Sequence, residues 1–253
     1  MDNIFDKIIG SIFIESGLLL ARATFTEELY GISTDLYLAH NPNGDYFIYV
    51  KIPENALPYI CNNIQIKLSR LIKNEIDFIE QSSGKRITIS SSFDKNSTLI
   101  ILTDQLDASN KSSDIYNQAI AIEEDPYFFK KQVLVISSKE LEVASSKYDK
   151  FSTNYLEYLN NVISNTESFN CFINSKENRR NNLAIEYSFV AKLYEKLPFL
   201  SLSVQETTPD DLQKNINNDL TKEQYDECES LLQLDVKNLD NWIKEILKEE
   251  NND

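Results

Sequence analysis

Glu123-Glu124-Asp125 is the most conspicuous cluster of acidic residues in the sequence. Apolar residues 119–122 precede it, and Pro126-Tyr127-Phe128-Phe129-Lys130-Lys131 follows it. Carboxylates at the end of a strand could hold Mg²⁺ for a nuclease reaction. The same run also fits the start of a helix, with acids at the positive end of the helix dipole and Pro126 in the first turn. That second interpretation accounts for the whole run without a metal ion, so we expect no metal site here.

Other catalytic chemistry has little support in the sequence. His40 is the only histidine, and beside the Asn41-Pro42 turn we expect it to be exposed or to bond the turn. No Gly-rich phosphate loop occurs, which argues against nucleotide binding by a familiar motif. The three cysteines are far apart, and we expect reduced thiols in a cytosolic protein. We therefore expect no cofactor and no enzymatic activity.

Basic residues form two clusters on predicted helices. The first comprises Lys67, Arg70 and Lys73, and the second comprises Lys176, Arg179 and Arg180. Both have the spacing of an ordinary solvated helix face. The second cluster is denser and has several asparagine neighbours, so it is the better candidate for a contact with nucleic acid or with a partner protein.

The net charge of −15 is unevenly distributed along the chain. Residues 205–253 contain 14 acidic residues and five lysines, which gives this tail a charge of −9. An acidic surface repels nucleic acid, because affinity for phosphate comes mainly from Lys and Arg. We therefore expect any DNA contact to be indirect, through partners. The apolar stretch 8–25 is interrupted by glycines and charges, and we expect neither a membrane span nor a signal peptide.

The first half of the chain has the pattern of a sheet with one long helix. Asn41-Pro42-Asn43-Gly44-Asp45 predicts the turn of a hairpin between strands at 30–39 and 46–50. Apolar residues spaced by three and four predict a helix from Pro53 that ends at Ser82-Ser83-Gly84-Lys85. Two more strands are predicted at 86–90 and 98–103. The run 115–122 fits either a strand or the lead-in to a helix, and 126–135 has helical spacing.

The second half of the chain predicts mostly helix, since the last 169 residues contain no glycine. Long helices are predicted at 139–165 and 176–197, with a link near 169–174, and two short ones lie in the tail. The expected class is α+β, with a mixed or antiparallel sheet packed by a long helix and a predominantly helical C-terminal half. We expect an α+β domain at 1–137, a helical region at 138–204 and an acidic helical tail at 205–253.

The run from Ala121 to Leu134, with sequence AIEEDPYFFKKQVL, resembles a segment of the middle components of bacterial ABC-ATPase three-component conflict systems. The order of features over residues 30–136 is also similar: a hairpin, a long helix carrying 60–65, a strand near 97–103 and then this run. Among these systems the chain is most similar to the small C subunit of Lamassu-type antiphage and antiplasmid defence. Val135-Ile136-Ser137 departs from the ending that this family would have.

The resemblance implies a cytoplasmic accessory subunit that does not span a membrane and has no catalytic residues. It would dock an SMC- or Rad50-like ATPase and help control a nuclease effector. We expect the run itself to form the partner-binding surface: Glu123, Glu124, Asp125, Tyr127, Phe128, Phe129, Lys130 and Lys131. Two alternatives remain open at this point. One is a carboxylate-dependent metal nuclease that uses 123–125, and the other is an inhibitor whose acidic tail mimics DNA.

Overall fold

A computed structural model describes residues 4–41, 44–90, 92–105, 112–175 and 181–202, together with 221–224 and 226. The chain divides into two compact units, Met1–Leu202 and Ser203–Asp253. In the second unit a short helical stretch at 222–224 is described, and most of the predicted acidic tail lies outside the described residues. The predicted boundaries at 137 and 204 stay predictions.

The first unit is built on a five-stranded mixed sheet in the order β1-β2-β3-β4-β5. β1 pairs with β2 and β2 with β3 in antiparallel fashion, whereas β3 pairs with β4 and β4 with β5 in parallel. The strands are β1 Leu19–Glu27, β2 Ile32–His40, β3 Tyr46–Lys51, β4 Ser97–Gln105 and β5 Lys130–Ser137. The predicted α+β class and the mixed sheet are confirmed.

The predicted hairpin joins β2 to β3. The Asn41 side chain accepts a hydrogen bond from the Asp45 backbone N–H at 3.0 Å, and the Asn41 N–H donates to the Asp45 carbonyl at 3.1 Å. Gly44 has a φ of 92°, a conformation that favours glycine. The turn therefore follows from local sequence alone, and it sets the register in which His40 lies opposite Tyr46.

Side chains of each strand alternate between two cores, one on each face of the sheet. In β3, Ile48 and Val50 enter one core, while Phe47 and Tyr49 enter the other. The first core is covered by residues 54–75 and by α3 (Ser112–Glu123). The second is covered by α1 (Ile4–Glu15) and by helices from the second half of the chain. A strand buried on both faces is expected to be continuously apolar, as β3 is.

Residues 54–75 form one helical segment made of turns of different width. It consists of a 3₁₀ helix at Glu54–Tyr59, a π-helix at Ile60–Ile64, α2 at Gln65–Arg70 and a π-helix at Leu71–Glu75. The predicted apolar stripe is confirmed over this range. Its members Leu57, Ile60, Ile64, Leu68 and Ile72 are buried, and Cys61 and Leu71 are partly buried against the same core.

The predicted end of this helix at Ser82–Lys85 is wrong. The helix ends at Glu75, and Ile76 already has extended backbone angles. Ile79 is 48% exposed and forms an isolated bridge with Arg86 across a tight turn. The predicted strand at 86–90 is accordingly reduced to this single bridge. Ile79, which continued the apolar spacing past the true end of the helix, is exposed, whereas the neighbouring Ile76 and Phe78 pack on the same core.

The region after β4 corrects a second prediction. Residues 115–122 lie in α3, and the acidic cluster follows at its C-terminal end. The predicted helix at 126–135 is wrong, since residues 130–137 are β5, parallel to β4. The run Val133-Leu134-Val135-Ile136 is buried on both faces of the sheet. A short apolar run of this kind fits a helix and a buried strand equally well, and pairing with β4 decides between them.

In the described ranges 138–175 and 181–202 there are four helices: α4 Ser138–Phe151, α5 Tyr155–Ile163, α6 Thr166–Asn174 and α7 Asn182–Lys196. The single helix predicted at 139–165 is therefore interrupted after Phe151, and the predicted link at 169–174 is helical. Asn165 and Asn181 are the N-caps of α6 and α7, and their side chains accept hydrogen bonds from the backbone at 2.8 and 2.9 Å. In the described ranges no helix has the length and apolar composition required to cross a membrane.

The outer edge of β5 is closed by charged side chains where another strand could otherwise pair. Glu123 accepts from the Val133 N–H at 2.7 Å, and Lys192 donates to the Val135 carbonyl at 3.0 Å. Glu140 accepts from the Ser137 N–H at 2.9 Å, which completes the capping box of α4. Side chains bonded in this way protect a sheet edge against unwanted strand pairing.

Glu140 is buried at the junction of β5, α4 and α7. Its carboxylate accepts from Lys192 at 2.8 Å and from Ser188 at 3.0 Å. Burial by itself would raise the pKa of Glu140, but the Lys192 ammonium and the hydrogen bonds from Ser137 outweigh it and hold the pKa below its ordinary value. The charged form of Glu140 therefore stabilises the folded chain.

Replacing Glu140 with Gln is expected to lower the free energy of unfolding at pH 7 by about 1–3 kcal/mol, because charge-assisted hydrogen bonds are lost. Because the pKa of Glu140 is depressed in the folded state, the wild type is more stable than the variant above the unfolded glutamate pKa of about 4.3. This difference in the free energy of unfolding disappears as the pH falls through the folded-state pKa. Urea unfolding at a series of pH values measures both effects. Glu142→Gln, an exposed position on the same helix, serves as the control. An equal loss for both variants at all pH values would contradict this account.

Candidate functional site

Lys131, at the start of β5, has a fully buried side chain. Its ammonium donates to three backbone carbonyls of the preceding loop: those of Asp125 at 3.0 Å, Tyr127 at 2.6 Å and Phe129 at 3.1 Å. It also pairs with the Asp125 carboxylate at 2.9 Å. The chain between α3 and β5 is thus wrapped around one internal cation, and we call residues 124–130 the aromatic loop.

Asp125 ties the aromatic loop to the helical segment 54–75. Its carboxylate accepts from the Gln65 side chain at 2.9 Å in addition to the Lys131 ammonium. Partial burial raises the pKa of Asp125, and the hydrogen bonds from Lys131 and Gln65 outweigh that effect and hold the pKa below its usual value. The Cys61 thiol lies beside it, and burial followed by the Asp125 charge raises the pKa of that thiol. Asp125 is therefore an ionised structural anchor.

Glu123 anchors the other side of the loop. One carboxylate oxygen accepts from the Val133 N–H at 2.7 Å, and the other accepts from Lys196 of α7 at 2.9 Å. Glu124 is exposed, and its side chain has no ion pair within the described part of the chain. Two of the three clustered acids consequently have lysine partners. Glu123 contacts α7, Asp125 contacts the segment 54–75, and Glu124 is exposed to solvent. Among the described residues, no group of three or more metal-ligating side chains is close enough to hold an ion.

The three aromatic residues of the loop separate into two roles. Tyr127 and Phe128 are 68% and 41% exposed, whereas Phe129 is 2% exposed and packs edge-to-face on Phe93 at 6.0 Å. Phe128 has a φ of 63°, in the left-handed region that residues other than glycine rarely adopt. This backbone reversal places two successive large rings at the surface while the third enters the core.

A groove of about 700 Å³ runs along the aromatic loop. It lies between the loop and the 3₁₀ turn Phe93–Asn96 that precedes β4. Its lining residues are Asp94, Lys95, Glu123, Glu124, Asp125, Pro126, Tyr127, Phe128, Phe129, Lys130, Lys131 and Gln132. All eight residues predicted as a partner-binding surface line this groove. Two of the eight, Phe129 and Lys131, are buried, and they hold the loop in place.

Other predicted residues fall elsewhere. Lys176, Arg179 and Arg180 lie outside the described residues, so the possible contact that they form with nucleic acid or a partner stays a prediction. His40 ends β2, where its ring is half-buried 6.0 Å from that of Tyr46 and its Nε2 atom is buried without a hydrogen bond. No local sequence pattern marks Gln65, Asp94 and Lys95 as part of the site, because they reach it from distant parts of the chain.

Residues 48–166 match the family described as ABC-three component (ABC-3C) system Middle Component 1. The matched range begins within β3 and extends past the end of α5, and it includes the whole aromatic loop and its groove. No curated protein and no solved structure matches the chain. The family match supports the resemblance to the middle component of an ABC three-component system that the run Ala121–Leu134 suggested.

Replacing Lys131 with Met is expected to lower the free energy of unfolding by about 3–5 kcal/mol, because the Asp125 carboxylate and three loop carbonyls lose a buried charged donor. Lys130→Met, at the exposed neighbouring position, is the matched control and should change stability by no more than about 0.5 kcal/mol. Chemical denaturation followed by circular dichroism measures both variants. Similar values for the two variants would show that Lys131 does not hold the loop.

Proposed function

We propose that this chain is the middle component of an ABC three-component system and acts as an accessory subunit without catalytic activity. In this role it docks an SMC- or Rad50-like ATPase and helps control a nuclease effector in defence against phages or plasmids. The family match over residues 48–166 supports the assignment as a middle component. The resemblance to the Lamassu C subunit suggests the more specific role in defence. DNA would reach such a complex through the partner subunits, in the cytoplasm.

The exposed Tyr127 and Phe128 rings are the observation that carries this proposal. Large aromatic side chains at a surface lose the free energy that burial would give them, and at interfaces they commonly supply much of the binding energy. The left-handed backbone at Phe128 adds a local cost of about 1–2 kcal/mol. The rings are held outward despite both unfavourable contributions to the stability of the fold. This is the arrangement expected of a preformed docking surface.

The carboxylate contacts support an accessory role over a catalytic one. Glu123 and Asp125 each have a lysine ammonium within 3 Å and a further hydrogen bond from the protein. Their oxygens are engaged in joining the loop to α7 and to the segment 54–75. A metal ion at this position would have to compete with Lys196 and Lys131 for the same oxygens, which disfavours the nuclease alternative.

The double variant Tyr127→Ala/Phe128→Gly tests the docking surface. Glycine suits the backbone at position 128, so the variant is expected to fold like the wild type. Co-expressed with the ATPase and effector of the proposed system, the tagged variant should recover at least about tenfold less ATPase than the wild type, because two exposed aromatic anchors are lost.

The control for this experiment is Leu29→Ala/Ile79→Ala, which removes two exposed apolar side chains outside the groove. Circular dichroism verifies that both variants fold, and the control should recover the ATPase at the wild-type level. Full recovery of the ATPase by the folded aromatic variant would count against docking through this loop. Failure of the wild type to form the complex would refute the proposed function itself.

A nuclease assay addresses the catalytic alternative directly. The purified chain is expected to cleave neither single- nor double-stranded DNA or RNA in the presence of Mg²⁺ or Mn²⁺. In the assembled complex, Glu124→Gln should leave any cleavage rate unchanged, since Glu124 is the exposed acid of the cluster and its replacement does not disturb the anchors of the loop. A metal-dependent activity of the isolated chain that this variant abolishes would favour the nuclease instead.

A further inference from the structure

We propose that the groove beside the aromatic loop binds an acidic segment of a partner protein that also carries apolar side chains. This inference rests on the proposed function and specifies the chemistry of its docking surface. It follows from which charges in the groove are already paired within the chain and which are left for a partner.

The acids in the groove are mostly neutralised from within. Asp94 pairs with Lys73, Glu123 with Lys196 and Asp125 with Lys131. Each of these lysines comes from a different part of the chain, and each pair joins two elements of the fold. An approaching partner therefore meets little negative charge from these three carboxylates, although the sequence 123–125 is strongly acidic.

Two groove lysines remain available. Lys95 and Lys130 are exposed, and neither makes an ion pair with any described residue. They contribute two positive charges to a groove in which Glu124 is the one acid without such a pair among the described lining residues. Among the described lining side chains that make no ion pair, two lysines thus stand against one acid, although the lining as a whole holds four acids and three lysines. At short range these two lysines would attract the carboxylates of an acidic partner segment, in a protein whose net charge is −15.

Exposed apolar surface lies beside these two lysines. Tyr127 and Phe128 present their rings at the groove, and Pro126 is exposed next to them. A segment that combines carboxylates with aliphatic or aromatic side chains would use both features at once, with apolar anchors on the rings and acids on the lysines. The volume of about 700 Å³ accommodates a few side chains of such a segment.

Single-stranded nucleic acid is the competing occupant, since bases stack on aromatic rings and phosphates bind lysines. Two observations favour the protein segment. Glu124 lies within the groove lining, where it would repel a phosphate backbone, and the net charge of −15 opposes the approach of a polyanion. A protein segment needs only a few carboxylates and can place them at the two lysines.

Binding of overlapping synthetic peptides to the full chain tests the inference. The peptides cover the sequences of the ATPase and the effector of the proposed system, and fluorescence anisotropy measures each affinity, with oligothymidine as the nucleic-acid probe. We expect acidic, apolar peptides to bind and Lys95→Glu/Lys130→Glu to weaken them by at least about tenfold. Lys7→Glu/Lys139→Glu makes the same charge change at two exposed positions outside the groove and should bind as the wild type does.

A charge exchange separates recognition from a general effect of net charge. Peptides in which lysine replaces the acids should lose affinity for the wild type and regain it for Lys95→Glu/Lys130→Glu. Tighter binding of oligothymidine than of any peptide, or equal peptide affinity for the two double variants, would overturn the inference. If Lys95→Glu/Lys130→Glu still assembles fully with both the ATPase and the effector, the inference fails and the proposed function stands. If the wild type does not assemble, both fail.

Discussion

A buried ammonium group has to be surrounded by oxygen atoms, and at Lys131 most of these come from the backbone of the aromatic loop. The carbonyls of Asp125, Tyr127 and Phe129 point inward to the cation, so alternate peptide groups of the loop are fixed. With the carbonyls directed inward, the side chains of Tyr127 and Phe128 project outward, and the backbone at Phe128 takes a left-handed conformation. The docking surface is therefore shaped from the inside by a residue that a partner would not touch.

Hydrogen bonds and ion pairs of buried or partly buried charged side chains also attach the rest of the site to the sheet. Glu123 binds the β5 backbone and Lys196, and Glu140 binds the β5 backbone and Lys192. These contacts attach α7 along the edge of the sheet that is formed by β5 in the described residues. Each of these side chains satisfies a backbone group or a carboxylate that would otherwise be costly to leave unpaired. Two of the three clustered acids, Glu123 and Asp125, are thus structural anchors, and side chains occupy backbone groups at the outer edge of β5.

In the proposed function, one set of residues fixes the aromatic loop and another set contacts the partner. Phe129, Lys131, Asp125 and Gln65 build a rigid base, while Tyr127, Phe128, Lys95 and Lys130 face outward from it. A rigid base lowers the entropic cost of binding, because the loop is already ordered before the partner binds. The match of residues 48–166 to the ABC three-component Middle Component 1 family includes every residue of this base and of its outward face.

The sequence by itself determined the features that depend on neighbours along the chain: the Asn41–Asp45 hairpin, the apolar stripe from Leu57 to Ile72, the α+β class and the position of the acidic-aromatic run. Tertiary structure alone decided that residues 130–137 are a strand, because Val133–Ile136 suits a helix as well until it pairs with β4. It also decided which acids are paired, since Gln65, Lys196 and Lys73 lie 60, 73 and 21 positions from the acids that they contact. Local patterns fix local turns and faces, whereas a salt bridge between distant segments exists only once the sheet has brought them together.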